Sequence, residues 1–357
     1  MYSTWQEFLL AQGALLEAGK LLNFPGDEIP ENKTKDNDNI ITDLSHLAII
    51  EISGNDAEDF LHGQFTINIE QLSKHHLQFS AWCNPKGQVK ATFFIYLHGT
   101  EFYILLPDEL KESIIKQLQM YILRADVKLT DKSDKLIRVG LQTHDATLLA
   151  DLIESVPEQQ GNVTQDQVTT NRGLHGLLTV APDNEEDAPR YILIGSADRQ
   201  ITLWQELVKH FTPIGTPAWE LLDIKAAYPW ITTQTTQKFL PQMLNLDLMD
   251  GLDYQKGCYP GQEIIARLHF RGLLKRSLYL ATCTLESCSE IRPEIGDPLY
   301  ADDNEQSVGT VINTQQSEDK YYLLAVIEND SVENKLSLRS SDGPGVNLQQ
   351  LPSYEKE

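Results

Sequence analysis

From Leu47 onward, apolar and polar positions alternate in short runs separated by stretches with a period of three to four. This pattern predicts a strand over 47–53, a helix over 55–62, strands over 75–82, 88–97 and 101–106, a helix over 108–121 and a strand over 126–130. The order then nearly repeats, with a strand over 135–142, a helix over 145–154, strands over 163–169, 175–180 and 190–195, and a helix over 198–210. Strands and helices interleaved in this way predict an α+β fold of two split-βαβ (ferredoxin-like) units, read as a degenerate duplication. Upstream, Thr4-Trp5-Gln6-Glu7 reads as a capping box. It opens an amphipathic helix through Leu9, Leu10, Leu15 and Leu16 toward Gly19, which docks on the body. Residues 25–39, with Pro25, Gly26, Pro30 and a polar run, read as a mobile linker.

A helix over 217–227, starting at Pro217, leads into a long irregular stretch. Beyond Gly272 the helical period vanishes, and short strands over 275–284, 307–313, 320–328 and 335–339 predict a small C-terminal β-barrel before a polar, frayed tail from Pro344. The expected organisation is therefore an N-terminal helix and linker (1–40), a discontinuous α+β domain (41–134 plus 213–272), a second α+β domain (135–212), a barrel (273–345) and a tail (346–357).

Composition narrows the function classes. Hydrophobic residues make up 41% of the 357, enough for real cores, and no apolar run is long enough to span a membrane. The N-terminus lacks the basic-then-apolar plan of a signal peptide, so a cytoplasmic location is expected. The 29 basic residues stand against 52 acidic ones, a net charge of −23 that opposes tight nucleic-acid binding. Four cysteines, at 83, 258, 283 and 288, form no C-x-x-C pair, which argues against a disulfide framework and against a complete four-thiolate cluster site. Cys283 and Cys288 are expected to be ordinary thiols. Hydrolase, zinc-protease and Walker motifs are absent, and His75-His76 has no matching ligand set, so no resident metal is expected.

Chemistry concentrates in Lys256-Gly257-Cys258-Tyr259-Pro260-Gly261-Gln262-Glu263. Pro260 suits the first turn of a helix whose apolar face is Ile264, Ile265 and Leu268 and whose stop is Gly272. Cys258 then sits just before a helix N-terminus and beside Lys256, which favours the thiolate, while Gly257 and Gly261 allow close approach to the sulfur. From Lys256 to Arg276 there are five cations (Lys256, Arg267, Arg271, Lys275, Arg276) against the single acid Glu263. That stripe reads equally as an anion site and as a solvated helix face with Glu263 and Arg267 paired.

These residues, continuing through Arg267 to Phe270-Arg271-Gly272, resemble the signature of the YgfZ family of folate-binding, tRNA-modifying proteins. Phe60-Leu61-His62-Gly63-Gln64-Phe65-Thr66, Asn84-Pro85-Lys86-Gly87 and Phe239-Leu240-Pro241-Gln242 with Asn245-Leu246 match in the same order, so the similarity spans about residues 44 to 330. The family is related to mitochondrial iron-sulfur assembly factors and, more distantly, to the glycine cleavage aminomethyltransferase. The resemblance implies an aminomethyltransferase-like fold binding tetrahydrofolate through Trp219, Lys256, Gly257, Tyr259, Gly261, Gln262, Glu263, Arg267 and Arg271. It also implies that Cys258 acts on, or transiently contacts, an iron-sulfur cluster of client enzymes such as those that modify tRNA. Leu47 stands where the family has a second tryptophan. The carboxylate pair that follows the Asn84–Gly87 turn in the aminomethyltransferases is missing here, since Gln88-Val89-Lys90-Ala91-Thr92 holds no acid. A folate-dependent one-carbon transferase or demethylase with a structural Cys258, or a plain folate-binding module, are the alternative readings.

Overall fold

The computed structural model describes residues 3–17, 20–24, 39–72, 77–145, 147–150, 163–164, 174–180, 188–288, 291–302, 305–317 and 319–351. The expected linker up to residue 38, His75-His76, and most of the expected elements at 145–154 and 163–169 lie outside these residues. The chain forms two compact units. One comprises Met1–Ala57, Gln71–Gln78 and Phe94–Trp219, the other Glu58–Glu70, Phe79–Phe93 and Glu220–Glu357. Among the described residues no helix is long and apolar enough to cross a membrane.

In the first unit, strand Leu47–Ser53 is flanked antiparallel by Glu101–Pro107 and Lys128–Asp131, and Glu101–Pro107 pairs in turn with the second half of Val89–His98. Numbered in chain order, these four strands of the sheet run 4-1-3-2, the split-βαβ order. A second sheet repeats the plan. Ile137–Gln142 pairs with Arg190–Gly195, which pairs with Leu174–Val180. The fourth place is filled from upstream, by Ile40–Asp43. Ile41, Val139, Leu141 and Leu193 enter one core with Trp5, Leu9 and Trp204. The indole of Trp5 donates to Asp43 at 2.8 Å, so the N-terminal helix is docked.

That helix is shorter than its pattern predicts. It spans Thr4–Ala11, and its capping box joins Ser3 to Gln6, one residue earlier than expected. Gly13, at φ +90°, reverses the chain, and Leu15–Glu17 pairs with Lys20–Asn23 as a hairpin. A positive φ suits glycine and cannot continue a right-handed helix.

In the second unit, six strands close a barrel: Arg276–Thr284, Lys320–Glu328, Gly309–Ser317, Pro298–Ala301, Leu336–Leu338 and Gly345–Gln349. The last strand corrects the expected frayed tail. It pairs on both sides, and Val346 is buried within the barrel core. A second correction concerns the thiols, because Cys283 and Cys288 are joined as a disulfide. The turn after the strand, where Cys288 N–H meets Thr284 O at 3.0 Å, brings the two sulfurs together.

Burial also leaves a pH-dependent load in the first unit. Desolvation, with Lys20 and Arg138 adding to it, pushes the imidazole of His46 down from 6.5 to about 3. In the unfolded chain His46 takes a proton below pH 6.5, whereas in the fold it stays neutral until about 3. Stability therefore falls as pH drops through that window, by up to about 1.4 kcal/mol per pH unit from this group. Urea titrations between pH 7 and pH 4 are expected to show this slope, reduced in His46→Leu.

Candidate functional site

The four segments that carry the resemblance converge in the second unit. The first contact is an ammonium. Lys256 is 7% exposed, and its Nζ donates to the carbonyls of His62, Phe65 and Ile67 at 2.5, 2.6 and 2.7 Å. These acceptors lie at the end of helix Ala57–His62 and in the turn after it, where carbonyls lack helical partners. Burial pushes Lys256 down to about 8, with Asp253 and Glu70 pulling the other way. Asp253 Oδ1 accepts from the N–H groups of Gln255 and Lys256 at 2.7 and 3.1 Å, bending the chain into position. Asp253 N–H donates to Thr66 O at 2.9 Å, and the Thr66 hydroxyl donates to Gly251 O at 2.6 Å.

The second contact is between two glycines. Gly261 has φ +84°, and a Cβ there would lie 2.5 Å from both the N and the Cα of Gly87. Gly87, at φ +76°, completes the Asn84-Pro85-Lys86-Gly87 turn. The Asn84 side chain holds that turn, accepting from the N–H groups of Lys86 and Gln88 and donating to Gln237 Oε1 at 3.0 Å. From the Phe239–Gln242 segment, Gln242 Nε2 donates to Ile265 O at 2.7 Å, fixing the helix that follows.

This frame presents Cys258. Gly257 and Cys258 are exposed, while Tyr259 is buried and its phenol is pushed up by desolvation. His62 lies over Gly257, its Nε2 3.1 Å from where a Cβ on that glycine would stand. Cys258 is the one exposed free thiol among the described residues; the other free thiol, Cys83, is buried and pushed up by burial.

The GCVT N-terminal domain model matches residues 29–172. The tRNA-modifying protein YgfZ of Sodalis glossinidius is 29% identical over 315 residues, covering 87% of this chain and 91% of that protein. That of Buchnera aphidicola subsp. Schizaphis graminum is 30% identical over 314 residues, covering 86% of this chain and 88% of that protein. The chain belongs to the YgfZ family. Aminomethyltransferase T of the glycine cleavage system from Bartonella henselae superposes with a TM-score of 0.76 over 97% of this chain and 96% of that chain, at 15% identity. The chain thus has the aminomethyltransferase-like fold, mixed α+β with a closed six-stranded barrel.

Within this YgfZ fold several predicted site residues stand differently from expectation. The signature helix is Gln262–Arg271, capped by Gly261, so Pro260 precedes the cap and Cys258 lies four residues before the first helical turn. Lys256 turns away from the sulfur to its three carbonyls. The ammonium expected beside the thiol is therefore engaged elsewhere, because a buried ammonium must spend its donors on nearby acceptors. Trp219 belongs to the first unit and is 1% exposed. Its ring packs on Gly140, whose added Cβ would meet it at 2.7 Å, and the Arg190 guanidinium lies 5.1 Å from the ring centroid. Gln262 donates to Lys256 O at 3.3 Å, while Glu263, Arg267 and Arg271 are exposed. Arg276 pairs with Glu328 at 2.7 Å. Among the described residues no group of His, Cys, Asp or Glu is arranged to hold a metal. Sequence reasoning missed Asp253 as a framing residue; an acid three positions before Lys256 was its only local signal.

Lys256→Met is expected to destabilise the protein by about 2–4 kcal/mol in urea unfolding, since three buried carbonyls lose their partner. Gly261→Ala is expected to lose a similar amount through backbone collision and positive φ. Under native, non-reducing conditions iodoacetamide should modify Cys258 first, with Cys83 protected until unfolding and Cys283 and Cys288 unreactive until reduced, as read by peptide mass spectrometry.

Proposed function

We propose that this chain is an accessory factor of tRNA modification that presents Cys258 to iron-sulfur enzymes and binds tetrahydrofolate. The observation that carries the reading is the exposed Cys258 on a loop held on both sides, by the buried Lys256 ammonium and by the Gly261–Gly87 contact. Thiolates are the usual ligands of iron-sulfur clusters, and a thiol on a rigid, glycine-flanked loop offers the access that transient contact requires. The names of the relatives support the connection to tRNA modification, and the fold supports the folate ligand. For folate, Lys256 does not fit as a contact because its donors are spent, and the Trp219 ring offers no exposed face. The residues left to meet folate carboxylates are Arg267 and Arg271, both exposed on the signature helix.

The structure favours this reading over a one-carbon transferase at the residues after the Asn84–Gly87 turn. Val89 and Ala91 are buried, Lys90 Nζ lies 3.8 Å from the Trp82 ring centroid, and the Thr92 hydroxyl donates to Pro229 O at 2.8 Å. That stretch holds no carboxylate to act as general base.

The test is complementation of a strain defective in tRNA methylthiolation, reading the methylthiolated nucleoside by mass spectrometry. Wild type is expected to restore it and Cys258→Ala to restore less than about a tenth, with unchanged thermal stability and unchanged thermal shift by tetrahydrofolate. Full restoration by Cys258→Ala would leave the exposed Cys258 without a role in tRNA modification and pass the lead to the transferase or binding-module readings.

A further inference from the structure

The far end of the signature helix sets large exposed apolar side chains beside cations. Phe270 is 70% exposed and Leu273 is 81% exposed. Phe270 is nevertheless held in place. Its ring meets His269 edge-on at 4.7 Å, and His269 stacks on Tyr254 at 3.8 Å with an interplanar angle of 17°. Arg267 and Arg271 lie one turn apart beside it, and Lys275 follows; all three are exposed. From Gln262 to Lys275 the only acid is Glu263, in a chain of net charge −23.

Large apolar side chains in water, rimmed by charge and fixed by neighbouring rings, mark surfaces that another molecule covers. Aromatic residues and arginine are also the types enriched at the centres of protein interfaces, and a ring already fixed costs little to order on binding. We propose that the end of the Gln262–Arg271 helix is a docking surface for a partner protein segment that places an apolar side chain between carboxylates. The inference deepens the accessory-factor reading, on which it rests, by giving the client its chemistry. The cations select the carboxylates, and Phe270 with Leu273 takes the apolar side chain. A folate tail held by Arg267 and Arg271, as proposed above, would leave Phe270 and Leu273 uncovered, so folate and the partner segment compete for the same two cations. RNA would stack on Phe270, yet Leu273 has no face for a base to stack on. Phe270 stands about 12 Å along the helix axis from Gln262.

The test is fluorescence anisotropy on the full chain with four labelled probes: a short peptide alternating glutamate with leucine and phenylalanine, its lysine counterpart, an all-glutamate peptide, and a short single-stranded RNA. The first probe is expected to bind wild type with an affinity that weakens as salt is raised. Phe270→Ser and the double variant Arg267→Glu/Arg271→Glu should each lose about tenfold or more, that is about 1.4 kcal/mol, with thermal stability unchanged. Cys258→Ser should bind as wild type does, so a failure of the thiol reading in complementation leaves this result untouched. The proposal is overturned if the acidic-apolar peptide does not bind, if Phe270→Ser binds it equally well, or if the all-glutamate peptide or RNA binds as tightly, which would show a general anion surface.

Discussion

The interaction on which the candidate site depends is a buried ammonium sharing its three protons among three backbone carbonyls. Moving a lysine out of water is costly, and the cost is offset only when every donor finds an acceptor. Lys256 meets that condition because helix Ala57–His62 ends where its carbonyls have no partners and where the helix dipole is negative. One side chain thus closes a helix end and anchors the loop that carries Cys258. The charge supports the backbone and is withdrawn from ligand chemistry.

A second constraint works at van der Waals range. Gly87 and Gly261 touch backbone to backbone, so two turns distant in sequence fix each other's position without side chains. With Asp253 bending the chain ahead of Lys256, the loop from Asp253 to Gly261 is held at several points while Gly257 and Cys258 remain in water. Surface charge adds a separate layer. A net −23 is spread over the chain, and the cations of the signature helix keep a local field of the opposite sign beside exposed Phe270 and Leu273.

The two α+β sheets show how one plan is reused with a substitution. The second places Ile40–Asp43, from upstream, where the first has its own fourth strand, Lys128–Asp131. The ladder needs only a strand of the right face pattern, and Ile41 supplies the inward apolar residue.

What the sequence by itself determined was whatever local periodicity controls. The strands Leu47–Ser53, Val89–His98, Glu101–Pro107 and Arg190–Gly195, the signature helix and most of the barrel follow from apolar spacing, and the four matching segments point to the family. It misplaced what non-local contacts decide. Leu15 and Leu16 fit a helical stripe and a strand equally, and Gly13 in its left-handed conformation selected the strand. Gly345–Gln349 looks like a polar tail until two barrel edges take up its backbone donors and acceptors. Cys283 and Cys288 carry no pairing signal in their spacing, and a turn at the end of a strand joins them. Tertiary structure alone decided that Lys256 faces carbonyls from residues 62–67 and that Trp219 closes on Gly140. Both depend on partners far away in the chain, and a buried donor or a large ring settles where its acceptors or its space are found.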